Sequence, residues 1–185
     1  MVIAAHRPFW FDEVVTALFG RLPTLRAVWS AAGRVDAWGM PAPYYFLVHA
    51  FVSWFGPPEI STRLPSALAV AAGLWLTFDC ARRLTDGLHG LVATALLTCS
   101  FLPYYGFEAR SYGIFFLLAS LSLWVWAHTG WPRQRTALIF FALFLTGVLM
   151  HPYFVLCLVP YAAWDLSEWR SGWRPRPAIV AGTLG

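Results

Sequence analysis

The stretch FEARSYGIFFLLASLSLWVWA, residues 107–127, decides how the chain is to be read. It opens on a polar island, Glu108-Ala109-Arg110-Ser111, and then runs from Tyr112 to Ala127 without a charged side chain. Such a run, closed by Trp124 and Trp126, suits a helix in hydrocarbon whose amphipathic rings lie near the headgroups. No polar face recurs at helical period, as a helix bathed in water would need. Charge therefore stands between the apolar helices and not inside them.

The same pattern repeats on both sides. Leu64 to Cys80 is nearly free of charge and ends at Arg82-Arg83, and Leu88 to Tyr105 leads into the polar island. Beyond Ala127, the runs Ala137 to Met150 and Tyr153 to Trp164 are separated by His151-Pro152. A loop with Arg170, Arg174 and Arg176 then precedes Ala178-Ile179-Val180-Ala181, which reads as the opening of another span. Composition agrees: 59% of residues are hydrophobic and 12% charged, against about 25% charged in a soluble domain. The expected fold is all-α, a polytopic transmembrane helix bundle with about five transmembrane helices over residues 64–166. Residues 1–63 are expected to form an external loop with amphipathic and interfacial helices, and residues 167–185 a cytoplasmic loop and the start of a further span. Several runs are shorter than the ~20 residues of an upright span, so tilt must help.

All thirteen basic residues are Arg, and the chain has neither Lys nor Asn. That usage suggests a GC-rich bacterial genome and leaves no N-glycosylation acceptor. The net charge of +4 is spread over short loops with no basic stripe, which argues against a nucleic-acid partner. Cys80, Cys99 and Cys157 fall in apolar stretches at spacings that fit neither a metal motif nor a disulfide framework. The clusters Arg82/Arg83, Arg133/Arg135 and Arg170/Arg174/Arg176 are two spans apart each time, so they share one side, the cytoplasm by the positive-inside rule. Glu108, Arg110 and His151 then face outside, in a bacterial inner membrane.

Tyr44 to Phe55 has too few apolar residues to cross a bilayer comfortably and reads as an interfacial helix in the outer leaflet. That keeps Asp12, Glu13 and Asp36 on the external face with Glu108. Phe9 to Ala31 is amphipathic, with Val14, Leu18, Leu22, Leu25 and Val28 at three-to-four spacing, interrupted by Pro23. Asp12 is placed to cap this helix.

Candidate chemistry follows from these positions. Asp12-Glu13, adjacent carboxylates among aromatic residues, suit a general base with a partner that orients it or holds a cation; their bland reading is an acidic helix N-terminus favoured by the macrodipole. Asp36 precedes the rigid Pro41-Ala42-Pro43-Tyr44-Tyr45 lead. Glu108 and Arg110 stand where an external loop enters a span, an arrangement suited to phosphate or to a local ion pair. His151 heads a span on the same face, as a structural His or a ligand.

Four blocks carry a resemblance: FWFDEVVT, PAPYYFLVHAFVSWFGPPEISTRLPSALAV, FEARSYGIFFLLASLSLW and HPYF. Together they resemble the C-type (GT-C) membrane glycosyltransferases, and more narrowly the bacterial branch similar to dolichyl-phosphate-mannose–protein mannosyltransferases, in their N-terminal part. The resemblance implies transfer of a sugar from a polyprenyl-phosphate donor to an acceptor on the external face. It matches Asp12 and Glu13 to the family's catalytic Asp-Glu pair, with the Asp regarded as catalytic, and Glu108, Ala109, Arg110 and Tyr112 to the motif of its second external loop; substrate or phosphate contacts are expected from Asp36, Glu108, Arg110, Tyr112 and His151. In the mechanism expected from these residues, a divalent cation on Glu13 or Glu108 would help Arg110 to stabilise the leaving phosphate. Family members often carry His where this chain has Met40, and they begin with a span ahead of the Asp-Glu loop, so the chain reads as part of a longer protein. The competing expectations are a transporter or flippase, or an inactive fragment of a glycosyltransferase. Against transport, no internal repeat is evident, and Asp79, the acid nearest an apolar run, sits beside Arg82 and Arg83 rather than at mid-membrane.

Overall fold

In the computed structural model, residues 8–34, 42–56, 58–127 and 131–170 are described. Among them every regular element is helical: α1 Phe11–Gly20, α2 Leu25–Ala32, α3 Ala42–Phe55, α4 Pro58–Ser61, α5 Leu64–Leu84, α6 Gly87–Thr98, α7 Leu102–Gly106, α8 Tyr112–Ala127, α9 Arg133–Met150, a 3-10 turn at Pro152–Cys157, and α10 Leu158–Arg170. One helix, Glu59–Leu84 with mean hydropathy 1.4, is long and apolar enough to cross a membrane. The apolar helices Gly87–Thr98, Tyr112–Ala127, Gln134–Met150 and Pro152–Trp164 are shorter.

Two expected spans are broken, each for a local reason. Leu88 to Tyr105 divides into α6 and α7 because Ser100 Oγ donates to the Leu97 carbonyl at 2.6 Å and accepts from Leu102 N at 3.1 Å. That hydroxyl competes with the helical ladder, and Pro103 cannot donate to continue it. Tyr153 to Trp164 opens as the 3-10 turn, with Pro152 at its head and the His151 side chain accepting from Tyr153 N at 3.3 Å.

α5 packs along α8 and α6, and α9 lies against α8. Phe140, Phe144, Phe154 and Tyr161 close the core beside Ile114, Leu118 and Val125. α1 and α2 lie on α3, where Phe19 stacks on Tyr45 at 4.0 Å between ring centroids and Trp29 on Phe46 at 6.1 Å. Pro23 separates α1 from α2 as its fixed ring demands, and Thr24 caps α2 by accepting from Ala27 N at 3.1 Å. Gly56, at φ 82°, turns the chain out of α3 into α4.

The apolar stripe of residues 9–31 does not simply face inward. Val14, Leu18 and Leu25 are exposed, whereas Val28 is buried and the inner face of α1 carries Glu13, Thr16, Phe19 and Gly20. Large apolar side chains are also exposed on α6 (Leu88, Leu91, Leu96) and α9 (Leu138, Phe141, Leu145).

Polar side chains collect at the two ends of α5 and α8. At one end Asp79 accepts from Arg82, Arg83 and the Trp124 indole. Trp124 meets Trp131, and the Arg135 guanidinium lies 4.6 Å over the Trp131 ring. At the other end stand Arg63, Glu108, Arg110 and His151.

Candidate functional site

Residue Glu13 builds the site. Fully buried in the first turn of α1, it reaches back to accept from Trp10 N at 3.1 Å. Arg63, just ahead of α5, donates to both of its oxygens, Nε to Oε1 at 3.0 Å and Nη2 to Oε2 at 2.9 Å. Ala109 N, from the polar island, donates to Oε1 at 2.9 Å. One carboxylate thus joins three segments remote in sequence. Burial alone would raise its pKa, but the Arg63 guanidinium and the two backbone amides outweigh burial, so the carboxyl titrates below its ordinary 4.5.

The expected helix cap is corrected by the same contact. The N-cap is Trp10, and Asp12 lies inside the first turn. Glu13 supplies the bond back to the cap amide, since a side chain three residues into a helix has the reach.

Turned the other way on α1, Asp12 lines a cavity of about 420 Å³ with Trp10, Phe11, Tyr104, Tyr105, Glu108 and Arg110. Arg110 Nη2 lies 3.0 Å from Asp12 Oδ2, with the two side chains 28% and 44% exposed. The Arg110 guanidinium rests 4.8 Å over the Tyr112 ring, and its carbonyl accepts from Ser66 Oγ on α5 at 2.7 Å. Arg110 Nε is buried without a hydrogen-bond acceptor.

His151 stands behind Tyr112, with ring centroids 5.6 Å apart. Its Nδ1 accepts from Tyr153 N, which leaves the ring proton of the neutral form on Nε2. Burial, and then the Arg110 charge, lower its pKa from the ordinary imidazole value, which favours the neutral ring.

The expected site residues Asp12, Glu13, Glu108, Arg110, Tyr112 and His151 are therefore joined by a continuous series of contacts and shared cavity walls. Asp36 and Met40 lie outside the described residues. Glu13 does not line the cavity. Among the described residues, no three His, Cys, Asp or Glu side chains gather where a metal ion could sit. Glu13 is already engaged by Arg63 and backbone amides, whereas Glu108 lines the cavity with Asp12. Arg63, Tyr104 and Tyr105 complete the site and were not singled out by sequence. Arg63 had a signal: an arginine on the expected external side runs against the positive-inside trend, which calls for an acidic partner.

The fold and this site define a class: an all-helical, membrane-associated protein with a carboxylate–guanidinium pair at a polar cavity beside the head of its long apolar helix. Residues 40–185 match the dolichyl-phosphate-mannose-protein mannosyltransferase family, and the chain belongs to that family. Membership brings glycosyltransferase-type function and confirms the relationship suggested by the three sequence blocks that fall within the matched residues. Asp12 and Glu13 precede the matched residues, so their roles rest on the geometry. Neither the curated proteins nor the solved structures contain a match.

Proposed function

We propose that the protein transfers a sugar from a polyprenyl-phosphate carrier to an acceptor hydroxyl at the external face of a bacterial inner membrane. The observation that carries this reading is the Asp12–Arg110 pair, 3.0 Å apart on the wall of a polar cavity. It supports the reading because a carboxylate able to take a proton from a hydroxyl stands beside a guanidinium able to hold a phosphate.

The acceptor oxygen attacks the anomeric carbon as its proton passes to the Asp12 carboxylate. A new carbon–oxygen bond forms at the anomeric carbon, and the bond from that carbon to the phosphate oxygen breaks. The polyprenyl phosphate leaves with the bonding electrons, and Arg110 balances the charge that develops on it. Glu13 and Arg63 act as positioning residues, fixing α1 against the polar island so that Asp12 meets Arg110. Trp10, Phe11, Tyr104 and Tyr105 supply aromatic walls for a sugar ring.

Membrane placement supports the same reading. Polyprenyl carriers reside in a bilayer, and the exposed apolar faces of α1, α6 and α9 suit lipid contact. The Arg82/Arg83/Arg135 end is assigned to the cytoplasm, which puts the cavity outside.

The test is transfer from polyprenyl-phosphate sugars by the full-length protein in membranes. Asp12→Asn keeps the size of the side chain and removes the base, so transfer is expected to fall by at least about a hundredfold. Retained transfer takes Asp12 out of the base role.

A further inference from the structure

The two acid–arginine pairs at the site are built differently, and the difference points to how the site is switched on. Glu13–Arg63 is two-pronged and buried, with side chains 1% and 5% exposed. Asp12–Arg110 has a single contact, between partners that are 44% and 28% exposed. A buried, two-pronged pair resists opening, whereas a single partly exposed contact is weak and exchangeable. Arg110 is also incompletely used: its buried Nε meets no acceptor, although guanidinium offers donors in a fork that matches two oxygens of a phosphate. Tyr112 beneath the guanidinium and Ser66 on the Arg110 carbonyl hold the residue in place while its outer nitrogens remain at the cavity wall.

We propose that the Asp12–Arg110 pair is a latch opened by the phosphate of the donor, so that donor binding frees the base and must precede activation of the acceptor. This rests on the reading of the site as a sugar transferase. In the closed state Asp12 Oδ2 is engaged by the guanidinium and Arg110 Nε is unfilled. An arriving phosphate takes over Nη2, the nitrogen that meets Asp12 Oδ2, and Asp12 gains an oxygen for the acceptor hydroxyl. Before the donor arrives, a hydroxyl or water in the cavity meets a base whose Oδ2 is already occupied. Polyprenyl phosphate as product re-forms the same contact with Arg110, so it competes with the next donor and not with the acceptor.

The experiment measures binding of polyprenyl monophosphate to the full-length protein in lipid nanodiscs, with phosphate-free polyprenol and inorganic phosphate as controls. Asp12→Asn removes the competitor for Arg110 and is expected to bind polyprenyl monophosphate about two- to fivefold tighter, with polyprenol binding unchanged. Arg110→Gln is expected to bind it about tenfold more weakly or worse. If Arg110→Gln weakens binding and Asp12→Asn does not tighten it, the latch is overturned while Arg110 remains a phosphate ligand. If Arg110→Gln binds as well as wild type, both the latch and the underlying reading of the site fall. Asp12→Ser provides a second latch-free variant, and thermal unfolding of each variant confirms that the fold is intact.

Discussion

At the scale of the residue, two adjacent carboxylates have taken opposite parts. Asp12 and Glu13 are chemically alike, and sequence places both at one helix start. Helical geometry separates neighbours by about 100°, so one faces the cavity and the other the junction of α1, α5 and the polar island. The sequence could nominate the pair but not divide it, because the division depends on Arg63 and Ala109, which are distant along the chain. Removing one member of a buried ion pair strands the other, at a cost of about 3–5 kcal/mol. Glu13→Gln keeps the size and some hydrogen bonding, so a loss near ~3 kcal/mol is expected, read as a lowered thermal unfolding midpoint in detergent. Adding Arg63→Met should cost less than the sum of the two single changes, because the stranded charge is gone. The pH dependence has a definite sign. Since the folded-state pKa of Glu13 lies below 4.5, its contribution is fully present above pH 4.5 and is lost as pH falls through the folded value. The midpoints of wild type and Glu13→Gln should therefore converge below pH 4.5. A gap that stays constant across that range would deny Glu13 its charged, paired state.

At the scale of the element, the α5–α8 contact sets the position of Arg110. An ideal Cβ on Gly113 would meet the Ser66 carbonyl oxygen at 2.6 Å and Ser66 Cα at 2.8 Å. These are backbone atoms, which cannot swing aside as a flexible side chain would. The close approach also seats Ser66 Oγ on the Arg110 carbonyl. Gly113→Ala gains helix propensity of up to about 1 kcal/mol, yet overpacking typically costs about 1–3 kcal/mol. A net loss of stability with a fall in transfer activity is expected. Gly87, at the start of α6, has nothing within 4 Å of its added Cβ, so Gly87→Ala should leave both unchanged or raise the unfolding midpoint slightly. A matched pair of melting curves and transfer assays decides this; equal behaviour of the two variants would mean that the α5–α8 contact yields freely. Sequence showed the helices and their order well, since apolar runs and Arg clusters are strong signals. It did not show where α6 stops or where the 3-10 turn begins, because one serine hydroxyl and one imidazole settle those points through local bonds that hydropathy does not register.

At the scale of the whole molecule, the question is which side of the bilayer Asp12 occupies. On the proposed multi-pass topology, parity from the arginine clusters puts Glu108, Arg110 and His151 on one face, and it reaches Asp12 only if α3 does not cross. α3 has 14 residues, about 21 Å at helical rise, against a hydrocarbon core of about 30 Å. Tyr44, near its start, is fully buried beside Ser66, and its other end leads through the short α4 to Arg63, which grips Glu13. Both ends of α3 are thus tied to the head of α5, the end that carries the site. This juxtaposition could not be read from hydropathy, because a 14-residue apolar helix has the same composition whether it lies flat or stands upright. Single cysteines separate the two placements. In a background where Cys99 and Cys157 are replaced, the exposed positions Arg34, before α3, and Glu59, after it, are each changed to Cys, with Asp86 as the counterpart beyond α5. A membrane-impermeant maleimide should label Arg34→Cys and Glu59→Cys in intact cells, and Asp86→Cys only after permeabilisation. Labelling of Arg34→Cys only after permeabilisation would make α3 a true span and put Asp12 on the cytoplasmic side, away from an external donor. If all three reverse together, the site stays whole but faces the cytoplasm, and the donor must be presented from that leaflet.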